Sequence, residues 1–224
     1  QLQQGKIALA EKLSVLVAGS LQQQSWQIDG RRGGLAASLG LLGRLDLAKT
    51  RWSGQLRQGR IDAAKGSWQL QAPAVLSLTP ASQNLAEQCW LQSPWRVCAQ
   101  ADLLAERWTA RLRAEAGNDG SLLATLRRDP RQASPTLDAD LTLRAVNLAR
   151  LPVALPNGLD LQGRANASAR LTGTLAAPLL NGSFALAGAA LAVPAYGIDW
   201  RPLALSGRLL GDRMDWRGQI TDPE

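Results

Sequence analysis

From residue 159 to residue 175 the chain alternates without a break. Leu159, Leu161, Gly163, Ala165, Ala167, Ala169, Leu171, Gly173 and Leu175 are apolar or small, and every residue between them is polar. A repeat of two belongs to a strand, whose successive side chains point to opposite faces. One strand of that length would run roughly 50 Å, far beyond the usual five or six residues. Two strands joined by a tight turn or kink near residues 166–170 are therefore expected. In either form one face is greasy and lined with small residues, and the other is wet.

The same alternation recurs along most of the chain. Candidate strands cover residues 5–10, 13–21, 35–48, 51–57, 59–63, 67–71, 74–79, 84–91, 95–103, 108–116, 121–127, 137–143, 182–188, 202–209 and 213–220. In 35–48 a helix is disfavoured, because Gly40 and Gly43 would each cost about 1 kcal/mol in a helix interior. Residues 147–151 suit a single helical turn. Pro152 and Pro156 then break the pattern and suggest two segments of similar kind, 1–151 and 152–224. The expected fold is all-β: a long, curled, mostly antiparallel sheet with an apolar concave interior. A sheet with one greasy and one wet face must close, stack or cover a guest.

The alternation assigns candidate lining residues for that interior. In the first half they are Val15, Val17, Leu21, Trp52, Leu56, Trp68, Leu70, Trp108, Leu112, Leu141 and Leu143. In the second they are Leu159, Leu161, Ala165, Ala167, Leu171, Leu175, Phe184, Leu186, Leu205, Leu209, Trp216 and Ile220. A short grammar, apolar-x-Gly-x-apolar, recurs among them, as in Trp52-x-Gly54-x-Leu56 and Leu205-x-Gly207-x-Leu209. Glycine weakens a strand unless room is needed. Small residues on the inner face let a sheet curl tightly or leave space for a guest. Ordinary bends in a β-sandwich core would give the same grammar.

Catalysis finds little support. Histidine is absent, and with it the commonest general base and metal ligand near neutral pH. Two cysteines without histidine make a poor zinc site. The glycine-rich run at residues 30–34 lacks the spacing of a phosphate-cradling loop and falls where a turn is expected. No nucleophile elbow or paired-carboxylate pattern occurs. The chain is not expected to be an enzyme or to need a cofactor or metal. The net charge of +7 suits nucleic acid or anionic headgroups. The arginines, however, are scattered singly along polar strand faces. They read as a solvated exterior, and no nucleic-acid partner is expected. No apolar run reaches eighteen residues, so no membrane-spanning helix is expected. The chain reads as a piece of a longer protein.

Cys89 and Cys98 flank a hairpin turning at Ser93-Pro94. If Gln92 pairs with Trp95 across a two-residue turn, Cys89 falls opposite Cys98. It is then the fourth pair from the turn, a non-hydrogen-bonded one with Cα atoms about 4.5 Å apart. That lies near the short end of the disulfide range. Two buried free thiols are the alternative, and Pro94 argues against a simple primed turn. A disulfide would imply an oxidising compartment.

Two patches resemble a known family. Residues 171–186, LTGTLAAPLLNGSFAL, followed by Ala190 to Gly197, are similar to the signature of AsmA-like and TamB proteins of Gram-negative bacteria. A second patch is closer to TamB: residues 52–61, WSGQLRQGRI, then Trp68-Gln-Leu, Pro73 and the element from Cys89-Trp90 to Cys98. The resemblance implies a taco-like half-pipe in the periplasm, part of an inner-membrane-anchored protein, and a central to C-terminal position in it. It implies transport of phospholipid, its acyl chains held in the groove, towards the outer membrane. It also implies support of outer-membrane protein and autotransporter assembly with an outer-membrane barrel of the TamA/BamA type. It brings no catalytic residues. A chaperone-like scaffold pairing with nascent outer-membrane protein strands is the rival reading. A membrane barrel fits worse, because lipid-facing strands favour bulky aliphatics and aromatic girdles. A β-helix lacks its fixed repeat here.

Overall fold

The computed structural model of the chain describes residues 11–104, 107–129, 136–152, 160–174, 177–193 and 197–220. Among them fifteen strands form one antiparallel sheet. They are β1 (Lys12–Ser20), β2 (Gln23–Arg32), β3 (Leu35–Asp46), β4 (Arg51–Ala63), β5 (Gly66–Leu70), β6 (Ala74–Leu78), β7 (Ser82–Gln92) and β8 (Trp95–Leu104). Then come β9 (Trp108–Glu115), β10 (Ser121–Asp129), β11 (Thr136–Asn147), β12 (Asp160–Gly173), β13 (Pro178–Val193), β14 (Ile198–Gly211) and β15 (Arg213–Ile220). Order in the sheet follows order in the chain. β5 and β6 are two halves of one broken strand, each pairing with β4 on one side and β7 on the other. The break contains Pro73, which has no N–H to give a ladder.

The stretch at 159–175 is one strand rather than two. β12 runs unbroken through residues 166–170, pairing with β13 along nearly its whole length and with β11 from Arg164 to Leu171. Those neighbours are 12 and 16 residues long, so its backbone groups find partners on both sides. Leu159 and Leu175 lie outside the described residues, as does the strand expected at 5–10. The ladder passes from β11 to β12 across the stretch holding Pro152 and Pro156.

The irregularities sit in the flanking strands. β11 fits an extra residue between Leu143 and Val146, and β13 fits one between Leu186 and Ala189. Ala145 and Gly188 there take positive φ, 49° and 54°. Gly163 of β12 packs against the second bulge; a Cβ on it would meet the Ala189 backbone at 2.6 Å. A similar shift joins the expected runs 51–57 and 59–63 into the single strand β4, where Leu56 faces Leu41 and Gln58 faces Gly40. β7 repeats it between Leu85 and Gln88. Each extra residue flips the inward parity of its strand, bends it and adds twist.

The bends roll the sheet. Leu151 follows β11, five steps across the sheet from β5, a distance of roughly 24 Å if the sheet were flat. Yet the Lys65 ammonium, in the β4–β5 turn, donates to the Leu151 carbonyl at 3.4 Å. Leu151 and Trp68 of β5 also pack on the same core cluster, Trp95, Ala114, Ala116 and Val146. A 3-10 turn, Leu148–Arg150, carries the chain over this end of the concave side, as the helical turn expected there. Asn147 caps it by accepting from the Ala149 N–H. Elsewhere the sheet is one layer deep. Among the described residues no polar side chain is buried, and Leu13, Leu16 and Trp216 on the edge strands are over 60 % exposed. A β-sandwich would have covered them.

Candidate functional site

Because β8 to β12 are in register, their inward residues form rows across the concave face. One row runs Val97, Ala114, Leu122, Leu143, Ala167. The next runs Ala99, Leu112, Ala124, Leu141, Ala169, and the third Ala101, Ala110, Leu126, Ala139, Leu171. In the second row leucine alternates with alanine from strand to strand. Large and small side chains alternating in this way fit the taper inside a rolled sheet. The second and third rows line an apolar cavity of about 460 Å³, which Leu85 of β7 and Leu180 of β13 also reach. Leu112 and Leu141 are 38 % and 36 % exposed within it. The first row and the Trp95 cluster close one end.

The other candidate lining residues take several positions. Leu161, Ala165, Phe184, Leu186, Leu205 and Leu209 continue the inward face through β12, β13 and β14, with Leu186 opposite Ala165 and Leu205. Leu56 is buried between Leu41 and Ala74, and Leu70 stands opposite Trp90. Val15 and Val17 lie on edge strand β1 and are about half exposed, and Leu21 falls in the turn after β1. Trp216 is on the opposite edge strand; Ile220 pairs with Leu203 there, and its side chain lies outside the described residues. Trp95, Val146, Leu148 and Arg128 were not among the expected residues. Trp95 shares inward parity with Val97, whereas the parity flip in β11 hid Val146.

Several glycines on this face leave little room. A Cβ on Gly43 would lie 2.3 Å from the Trp52 ring, on Gly59 2.3 Å from the Trp90 ring, and on Gly207 2.6 Å from the Phe184 ring. The aromatic rings occupy the space over these glycines, so it is not free for a guest. The open volume lies instead over the leucine–alanine rows.

The convex face carries the charge. Arg170 donates to both Asp138 oxygens, at 3.1 and 3.0 Å, and its pKa is raised by that hydrogen bonding and by the charges of Asp138 and Asp140. Arg60 grips Asp62 at 2.9 Å, and Ser67 donates to the same carboxylate. Both bonds hold Asp62 below its ordinary range. A lowered carboxylate stabilises the fold above its ordinary pKa, and that contribution is lost as pH falls through the lowered value. Solvent screening at these exposed sites keeps it small.

Cys89 and Cys98 are bonded to each other, with Cα atoms 4.0 Å apart. They stand opposite in the register, as Gln92 does to Trp95. The Cys89 carbonyl accepts from Gln71 N–H on the other side, as a non-hydrogen-bonded pair with Cys98 requires. The turn holds a cis Ser93-Pro94 bond with proline in its third position, as in type VI turns, so no primed turn is needed. Cys98 pairs with Arg113 of β9, which puts the bridge on the convex side, away from the cavity.

Among the described residues no three His, Cys, Asp or Glu side chains are grouped to hold a metal, and no helix is long and apolar enough to cross a membrane. A family model described as TamB, N-terminal domain, matches residues 1–106 and again 99–186. That model belongs to the N-terminal domain, whereas the sequence patches suggested a central to C-terminal position. The repeated grammar carries no positional information. No curated protein and no solved structure matches the chain.

Proposed function

Because the chain belongs to the TamB family, we propose that it is a non-enzymatic part of the Gram-negative envelope whose concave face carries phospholipid acyl chains between the inner and outer membranes. The observation that carries this reading is the 460 Å³ apolar cavity, set against a convex face bearing the ion pairs. Each lipid CH₂ moved there from water contributes about 0.8 kcal/mol, so a partial chain length is enough to hold a lipid. Shallow, chargeless rows bind weakly at each step, as transport requires. The Cys89–Cys98 disulfide supports an oxidising setting, the periplasm. A membrane anchor and an outer-membrane barrel of the TamA/BamA type complete the route, and assembly of outer-membrane proteins depends on it. Segments 1–151 and 152–224 form successive lengths of one groove.

A second reading rests on a separate observation. Among the described residues β1 is an edge strand that exposes apolar side chains on both faces, with Leu13 64 % and Leu16 67 % exposed. Such an edge can pair with a nascent strand of an outer-membrane protein. Native mass spectrometry of the chain purified without detergent separates the two. Lipid conduction predicts retained phospholipid adducts; bare protein that binds outer-membrane strand peptides favours the scaffold.

A further inference from the structure

Row by row, the concave face changes character only once along the cavity. Beyond the row Ala101, Ala110, Leu126, Ala139 comes the row Leu103, Trp108, Arg128, Leu137. It lies one inward position, roughly 7 Å, past the cavity lining. Across β8 to β12, Arg128 is the one charged residue on this face among the described residues. Its guanidinium lies over the Trp108 ring at 4.6 Å. Among the described residues, none of the ion pairs and hydrogen bonds uses that guanidinium's in-plane donors. The other end of the cavity is closed by the Trp95 cluster.

We infer that Arg128, held flat on Trp108, is a headgroup seat: it takes the phosphate of a phospholipid whose acyl chain lies in the cavity beyond it. The inference rests on the lipid reading above and adds a direction to it. A ring-stacked guanidinium keeps its edge free, and that edge matches two phosphate oxygens. A cation one row past the cavity lining, with apolar rows behind it, matches an amphiphile with an anionic head. The same cation facing a client strand would meet only neutral carbonyls, weaker acceptors for a guanidinium than a phosphate. Lipids therefore lie in this length of groove with the tail towards Trp95 and the phosphate at Arg128.

The test compares two probes with the same sixteen-carbon tail, monohexadecyl phosphate and hexadecyl maltoside, bound to the intact chain and followed by tryptophan fluorescence and native mass spectrometry. Arg128→Gln is expected to weaken the phosphate probe about tenfold while leaving the maltoside within about twofold. Arg128→Lys, which keeps the charge, is expected to retain most of the phosphate affinity. Equal weakening of both probes, or no change in either, overturns the headgroup seat while leaving the groove reading intact. Failure of the unsubstituted chain to bind either probe overturns the groove reading and the seat together.

Discussion

Trp95→Ala is expected to cost about 3–5 kcal/mol of folding stability, the range for deleting a large buried aromatic. Trp95 is 4 % exposed and centres the cluster that joins β8 and β9 to Val146 and Leu151. Its indole N–H also donates to the Arg150 carbonyl at 2.6 Å. The substitution removes both the ring and the bond that fastens the 148–150 turn over the concave end. Trp216→Ala should shift stability by less than about 0.5 kcal/mol, since that side chain is 62 % exposed on an edge strand. Urea denaturation at unchanged m-value measures both. Equal costs for the two tryptophans would mean that the Trp95 cluster is not the core of the fold.

Leu112→Asp combined with Leu141→Asp is expected to abolish lipid retention while leaving the fold intact. Both leucines are more than a third exposed in the cavity, so aspartate carboxylates at these positions stay hydrated without lipid. An acyl chain in the groove would strip that water, at several kcal/mol per charge. Each 1.4 kcal/mol is tenfold in affinity, so the pair should weaken lipid binding by more than about a hundredfold. Thr142→Asp, next in sequence to Leu141 but on the opposite face, should leave binding unchanged. Lipid retention surviving the double substitution would place the lipid elsewhere. Client-peptide binding that persists when lipid is lost would favour the edge-strand scaffold for that activity.

Most of the architecture could be read from the period-two pattern, because in a one-layer sheet each inward residue shows directly in the sequence. The 3-10 turn before Pro152 and the Cys89–Cys98 pairing followed from local rules. The bulges were harder. A register shift at Arg57 or Ala145 appears in sequence as the end of one strand and the start of another, so β4 was expected in two pieces. The length of β12 misled for a related reason: strand length is set by its neighbours, and residues 159–175 alone say nothing of how far β11 and β13 reach. The glycines were read as clearance because a sequence does not show which aromatic ring leans over them. Arg128 is not legible in the sequence, because a lone arginine in an alternating strand looks like a surface residue until the register assigns its row.

Adjacent residues on β12 offer the most direct test of which face holds lipid. Leu171 lines the cavity, and Arg170 is paired with Asp138 on the convex side. A photo-crosslinking amino acid placed at each position in turn, in membranes containing labelled phospholipid, reads the two faces separately. Lipid adducts from position 171 and none from position 170 are the predicted result; adducts from 170 alone, or equally from both, would contradict the account.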